Sequence, residues 1–313
     1  MLQRFLVIWL CLGCLAAAFW PRTWLGGFDP FTASRPVLPF LIAFIMFIVG
    51  CLLPRDELRQ VVRRWPAVVY GTAIQYTAMP LLACGFSSLF RLEPDDRVGV
   101  IIVGCVPGAM ASNVLTLLAR GNVSYSVSLT TSSTLLSPLV VPLALAWALR
   151  AHAALDPLDV CLDLLLMVVG PVLAGYVSSR FVPGLARWMQ TWGPAIANLV
   201  ILWVIAVVVG VNRGRLSAEP LRPAMVLALA AVNGLGYLAG YAGGWLWGMP
   251  EPMRRALTIE IGMQNAGLGT TLALGLFPDR PAAAIPPALY AVGCMLTGTL
   301  LARFWSSRAP RGA

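Results

Sequence analysis

The stretch Ala256-Leu-Thr-Ile-Glu-Ile-Gly-Met-Gln-Asn-Ala-Gly-Leu-Gly-Thr270 carries one acid, Glu260, in a run that is otherwise apolar or neutral. The run is long enough to cross a bilayer. A charged side chain at bilayer depth costs about 3 kcal/mol on insertion scales, so a residue of this kind is functional by default and has a partner. Gln264 and Asn265 bring amide oxygens and no charge. A bound cation is a simpler partner than an arginine close by in the sequence.

Working outward, the chain is 59% hydrophobic and 11% charged, with a mean hydropathy of +0.80. Soluble domains carry about 25% charged residues. The composition is that of a polytopic membrane protein. The net charge of +9 comes from arginine alone, since the chain has no lysine. Membrane proteins concentrate arginine in cytoplasmic loops, and no interleaved basic and aromatic surface points to nucleic acid. The seven cysteines (11, 14, 51, 84, 105, 161 and 294) lie in apolar stretches. Cys11 and Cys14 form a C-x-x-C inside a hydrophobic segment with no second pair, which reads as small apolar residues and not as a metal site. His152 lies in a loop-like stretch, and no triad can be built around it. Residues 1–18 resemble a signal peptide, yet the apolar run continues through Trp20 to Pro21 and reads better as a retained first helix.

Apolar runs of about 20 residues read as spanning helices. Ten are expected: 3–20, 37–54, 66–90, 98–120, 123–149, 157–179, 191–211, 222–247, 253–277 and 282–305. With the N-terminus inside, thirteen arginines and three acids fall on the inner side, against nine arginines and nine acids outside or at its border. This places both termini in the cytoplasm. A weak internal repeat is visible. Pro66-Ala-Val-Val69 is echoed 157 residues later by Pro223-Ala-Met-Val226, and Ser112-Asn113 is echoed 152 residues later by Gln264-Asn265. Five helices per half make the two halves inverted, an architecture of secondary transporters.

The fourth run contains Gly104-Cys-Val-Pro-Gly-Ala-Met-Ala-Ser-Asn113, where Pro107 and Gly108 predict a break. The ninth breaks near Gly262, again with polar residues just beyond. Broken helices at membrane depth are tolerated only where they line a site. The N-terminal ends of their second halves suit an anion, and unwound carbonyls suit a cation. The fifth run is rich in hydroxyls, Thr130 and Thr131 among them, and the third carries Gln75. Most of those hydroxyls read as helix packing and back-bonding to carbonyls. Together, Glu260, Gln264, Gln75, Asn113, Ser112, Thr130 and Thr131 form an all-oxygen set, which suits a hard cation such as Na⁺.

Pro107-Gly-Ala-Met-Ala-Ser-Asn-Val114, Leu118-Ala-Arg-Gly-Asn122, Thr130-Thr131 and Glu260-Ile-Gly-Met-Gln-Asn265 resemble the bile acid:sodium symporter family, and the resemblance covers nearly the whole chain. It implies an all-α membrane protein of ten helices in two inverted five-helix repeats, about 1–150 and 157–305, with helices 4 and 9 broken and crossing. A panel would comprise about 3–54 and 157–211, and a core about 66–149 and 222–305, with the substrate cavity between them. One sodium site would use Ser112, Asn113, Thr130, Thr131 and Glu260. The other would use Gln75, Glu260, Gln264 and carbonyls near Ile261 and Met263. Met110, Ala111 and Asn265 would contact the substrate. Many relatives carry Pro-Gly-Gly-Thr where this chain has Pro107-Gly-Ala-Met110, so the substrate contacts differ while the sodium sites look intact. The implied function is Na⁺-coupled symport of an organic anion, from bile acids to small carboxylates such as pantoate or pyruvate, across the inner membrane of a bacterial cell. It needs no other cofactor and implies no protein partner. A proton-coupled or uncoupled carrier of the same fold and a channel are the alternatives; no nucleophile–base pair or His/Cys set supports an enzyme.

Overall fold

The computed structural model describes residues 6–20, 27–53, 64–149, 156–218 and 221–308. His152, the side chain of Cys11, and Arg4, Arg22, Arg55, Arg59, Arg63, Arg150 and Arg311 lie outside the described residues, as do Asp56, Glu57 and Glu219. The helices are α1 (Leu6–Ala18), α2 (Pro30–Leu52), α3 (Trp65–Leu89), α4 (Pro94–Cys105), α5 (Ala111–Leu118), α6 (Val123–Leu149), α7 (Pro157–Phe181), α8 (Pro183–Val211), α9 (Arg213–Ala218), α10 (Pro223–Leu246), α11 (Glu251–Gly262), α12 (Ala266–Leu276) and α13 (Pro281–Ser306). Seven of them, α2, α3, α6, α7, α8, α10 and α13, are long and apolar enough to cross a membrane. The fourth and ninth expected spans are each divided, into α4 with α5 and α11 with α12.

Helix starts follow local rules. Proline occupies the first turn of α3, α4, α7, α8, α10 and α11, where its missing N–H would have no partner anyway. Asp29 and Asp156 cap α2 and α7 by accepting from the amides of Phe31 (3.0 Å) and Leu158 (2.8 Å).

Helices α1, α2, α7 and α8 pack together, and α3, α4, α5, α6, α10, α11 and α13 form a second packed set. Within the first set, α2 and α7 approach so closely that a Cβ on Gly50 would lie 2.0 Å from the Val172 carbonyl oxygen. The amide-rich segments around Gln75, Asn113 and Gln264 lie in the second set. Helix α12 touches α2 and α8 of the first set as well as α4 and α13 of the second.

Charged clusters mark the two ends of the second set. At one end Arg255, 3% exposed, contacts Glu251 and donates to the carbonyls of Ala119, Trp305 and Arg308. It thereby caps the C-terminal ends of α5 and α13 with one cation. At the other end Asp95, in the first turn of α4, takes Arg280 on Oδ1 (2.7 Å) and Arg215 of α9 on Oδ2 (2.8 Å). Arg35 donates to the Pro278 carbonyl and Asn212 to that of Pro281, so α2 and α8 are also fastened to this end. Burial pushes the Asp95 carboxyl up, but hydrogen bonds and charge from Arg280 and Arg215 outweigh it and hold Asp95 below the usual carboxylate value. A carboxyl lowered in the folded state stabilises the fold fully above its unfolded value, about 4, and loses that contribution as pH falls through the lower folded value. Asp95→Asn is expected to lower the melting temperature at pH 7 by about 2–4 °C. The gap to wild type should close as the pH is taken below about 4. Melting curves of both proteins in detergent across that range check this.

Candidate ion and substrate site

The first break has a local cause. Pro107 offers no N–H, and its ring drives the preceding residue, Val106, to an extended conformation (φ −72°, ψ 157°). The second break has no proline. Its chain leaves α11 through Met263, also extended (φ −110°, ψ 98°), beside Gly262. The two extended segments pair antiparallel. The Ala109 N–H donates to the Met263 carbonyl and the Asn265 N–H to the Pro107 carbonyl, both at 2.8 Å, which sets Gly108 opposite Gln264.

Glu260 sits on this crossing and is 2% exposed. A Cβ on residue 108 would lie 2.2 Å from Glu260 Oε1, so only glycine leaves room for the carboxylate. Ser112 Oγ donates to Oε2 at 2.5 Å, and Thr130 Oγ1 lies 2.7 and 2.8 Å from the two carboxylate oxygens. Among the described residues no ion pair is made to Glu260. Asn113 Oδ1 and Thr131 Oγ1 are buried without a hydrogen-bond partner among the described residues. Asn113, Thr130, Thr131 and Met110 line a cavity of about 10 Å³, roughly the space of a single water or small ion. Of the five residues expected to form the first ion site, Ser112 and Thr130 thus meet the Glu260 carboxylate, and Asn113 and Thr131 share the small cavity with Thr130.

The residues expected for a second site, besides Glu260, are Gln75, Ile261, Met263 and Gln264. Gln75 Nε2 donates to Gln264 Oε1 at 2.8 Å, and Gln264 Nε2 donates to the Ile261 carbonyl at 3.1 Å. Gln75 Oε1 is a further buried acceptor with no donor. Met263 is engaged differently, because its carbonyl already accepts the Ala109 amide. Buried oxygens without donors are uncommon in folded proteins and each calls for an explanation.

A larger cavity of about 100 Å³ lies between the crossing, α8 and α13. Ala111, Gln264, Asn265 and Gly267 form one wall, Ile201, Leu202 and Asn198 of α8 another, and Val292 and Met295 of α13 a third. Among the described residues, no charged side chain lines it. Asn265 caps α12, its Oδ1 accepting from the Leu268 amide at 3.1 Å, and the start of that helix opens on the cavity. Of the residues expected to touch substrate, Ala111 and Asn265 face this cavity, whereas Met110 lines the smaller one. Sequence reading passed over Asn198 and Asn233. Both are amides in apolar helices, the same kind of signal that singled out Gln75.

Comparison with known proteins bears on this geometry. Residues 39–219 match the model of the Sodium Bile acid symporter family. The chain is 36% identical over 281 residues to a Bacillus subtilis protein named as the uncharacterized sodium-dependent transporter YocS, covering 90% of this chain and 86% of that one. It is 32% identical over 304 residues to the probable sodium/metabolite cotransporter BASS1, chloroplastic, of Arabidopsis thaliana, covering 97% of this chain and 74% of that one. The chain belongs to the sodium bile acid symporter family and is a membrane transporter, not an enzyme.

Proposed function

We propose that the protein couples Na⁺ to the uptake of an organic anion through two ion sites that share Glu260. The observation that carries this reading is a set of buried oxygens near the crossing: Glu260 accepts from Ser112 and Thr130, and among the described residues Asn113 Oδ1, Thr131 Oγ1 and Gln75 Oε1 lack donors. A proton on Glu260 supplies a single donor and leaves most of these acceptors bare. A cation is met by several oxygens at once, and Na⁺ prefers ligands of this hard kind. The first site uses Ser112, Asn113, Thr130, Thr131 and Glu260. The second uses Glu260, Gln75, Gln264 and the carbonyls near Ile261 and Met263.

The anion occupies the larger cavity, held by Asn265 and the start of α12 near Ala111, with Met110 at the boundary towards the first ion site. A helix N-terminus is a ready site for negative charge. The apolar walls and small volume suit a compact carboxylate better than a steroid. Helices α1, α2, α7 and α8 form the panel and the second packed set the core, which rock against each other around the crossing in two inverted repeats. Both termini face the cytoplasm, the protein sits in the inner membrane, and Asp95 lies at the outer end. Two Na⁺ with one monovalent anion carry net positive charge inward, which gains about 2.3 kcal/mol per charge for each 100 mV.

Thermal stability of the purified protein in detergent, titrated with NaCl against KCl at constant ionic strength, tests the reading. Na⁺ at about 100 times its dissociation constant adds about 2.7 kcal/mol to the stability of the folded state. The wild type is expected to rise with Na⁺ and not with K⁺, and Glu260→Ala to lose the response while remaining folded. Equal curves in the two salts would overturn Na⁺ coupling, and a pH titration would then examine the proton-coupled reading. Gly108→Ala places a methyl against the carboxylate. It is expected to raise the Na⁺ midpoint by about 5- to 150-fold, for a clash costing about 1–3 kcal/mol, in the same titration.

A further inference from the structure

Helix α11 ends with carbonyls that have no further turn to accept from, and each must find another donor. The Ile259 and Glu260 carbonyls share the Met263 N–H, at 3.1 and 3.3 Å. The Ile261 carbonyl accepts from Gln264 Nε2. The Gly262 carbonyl is served from outside the break altogether. Asn233 Nδ2 of α10 donates to it at 2.8 Å and Tyr290 OH of α13 at 2.9 Å. Asn233 is itself held in that orientation, because its Oδ1 accepts from Thr297 Oγ1 at 2.7 Å. Tyr237 OH completes the chain, 3.1 Å from Thr297 Oγ1. Asn233 and Tyr290 are 5% and 2% exposed. The Tyr237 ring closes the other side of Gly262, since a Cβ there would lie 2.1 Å from it.

We infer that Asn233 and Tyr290 are positioning residues for ion binding. By gripping the Gly262 carbonyl from two helices they fix where α11 stops. They thereby fix the spacing of the Ile261 and Met263 carbonyls from Glu260 and Gln264. Both lone pairs of the Gly262 oxygen are taken by donors, so that oxygen is withdrawn from the ion's reach while its neighbours on either side are held still. Thr297 acts one step further back, by choosing which end of the Asn233 amide faces the carbonyl. The inference rests on the sodium reading above and assigns to α10 and α13 a part in ion affinity without contact to the ion.

Sodium itself is the probe. Wild type, Asn233→Ala, Tyr290→Phe and Thr297→Val are titrated with NaCl against KCl as before, and the Na⁺ midpoint is read separately from the melting temperature in KCl. Tyr70→Phe serves as control, because it removes a hydroxyl that donates to the Gly243 carbonyl at 3.0 Å between α3 and α10, away from the break. The midpoint is expected to rise about tenfold in Asn233→Ala and Tyr290→Phe, as for the loss of one buried hydrogen bond. Thr297→Val should shift it in the same direction by less, and Tyr70→Phe should leave it unchanged. Variants that melt earlier in KCl yet keep the wild-type Na⁺ midpoint would reduce the cluster to packing and overturn the inference. If Asn233→Ala does not fold, Tyr290→Phe and Thr297→Val decide. A wild type that ignores Na⁺ fails at the first step and removes the sodium reading, a result distinct from variants that bind Na⁺ normally.

Discussion

The structure depends on the burial of one carboxylate against backbone. Glu260 lies where a Cβ at position 108 would lie, so the two broken helices meet only because the first break contains Gly108. The same few residues that let the carboxylate in also make the crossing. Pro107 and Asn265 exchange a hydrogen bond on one side of Gly108, and Ala109 and Met263 on the other. Backbone groups freed at membrane depth are expensive unless satisfied. Here two of the bonds that satisfy them run between the breaks, and others come from the second break itself and from α10 and α13. The charge and the breaks are therefore one feature. Removing the acid leaves hydroxyls of α5 and α6 facing a hole, and removing the break leaves the acid no place to sit.

From this centre the packing runs outward in shells. The hydroxyls of Ser112 and Thr130 meet the carboxylate. Gln75 and Gln264 brace the second break from α3. Asn233 and Tyr290 grip it from α10 and α13. Around these polar contacts lie buried aliphatic side chains such as Ile101, Ile102, Leu129, Ile259 and Leu268. A low dielectric makes satisfied polar contacts strong and unsatisfied ones costly. Among the described residues, the oxygens of Asn113, Thr131 and Gln75 are buried without a donor, which is the costly case.

Much of the site was legible in the sequence because polar residues in apolar runs are rare and therefore informative. Glu260, Gln75 and the Pro107-Gly108 pair each break a local rule, and each lies at the crossing. The long apolar runs marked the helices for the same reason. What was not legible depends on pairing in space. The pairing of the two breaks is set by two hydrogen bonds between segments far apart in sequence, which no local pattern encodes. The side taken by Met110 follows from the turn after Pro107, which no periodicity encodes. Tyr290 and Thr297 gave no warning, since tyrosine and threonine are ordinary in membrane helices and satisfy themselves on nearby carbonyls. Asp95 and Arg215 are 120 residues apart and meet only once α8 is docked.

The sharing of Asp95 between two guanidiniums has a consequence for how the two packed sets can part. Arg215 belongs to the short helix that follows α8, whereas Arg280 leads into α13, which packs on α4. If α8 and α9 draw away from α4, Asp95 gives up one partner and keeps the other. Arg215 is 31% exposed and finds water at once. No charge is stranded in a dry place, which is what makes the breaking of buried ion pairs expensive. The fastening behaves as a detachable clip, with one jaw fixed and one free, and its release costs far less than its two short contacts suggest.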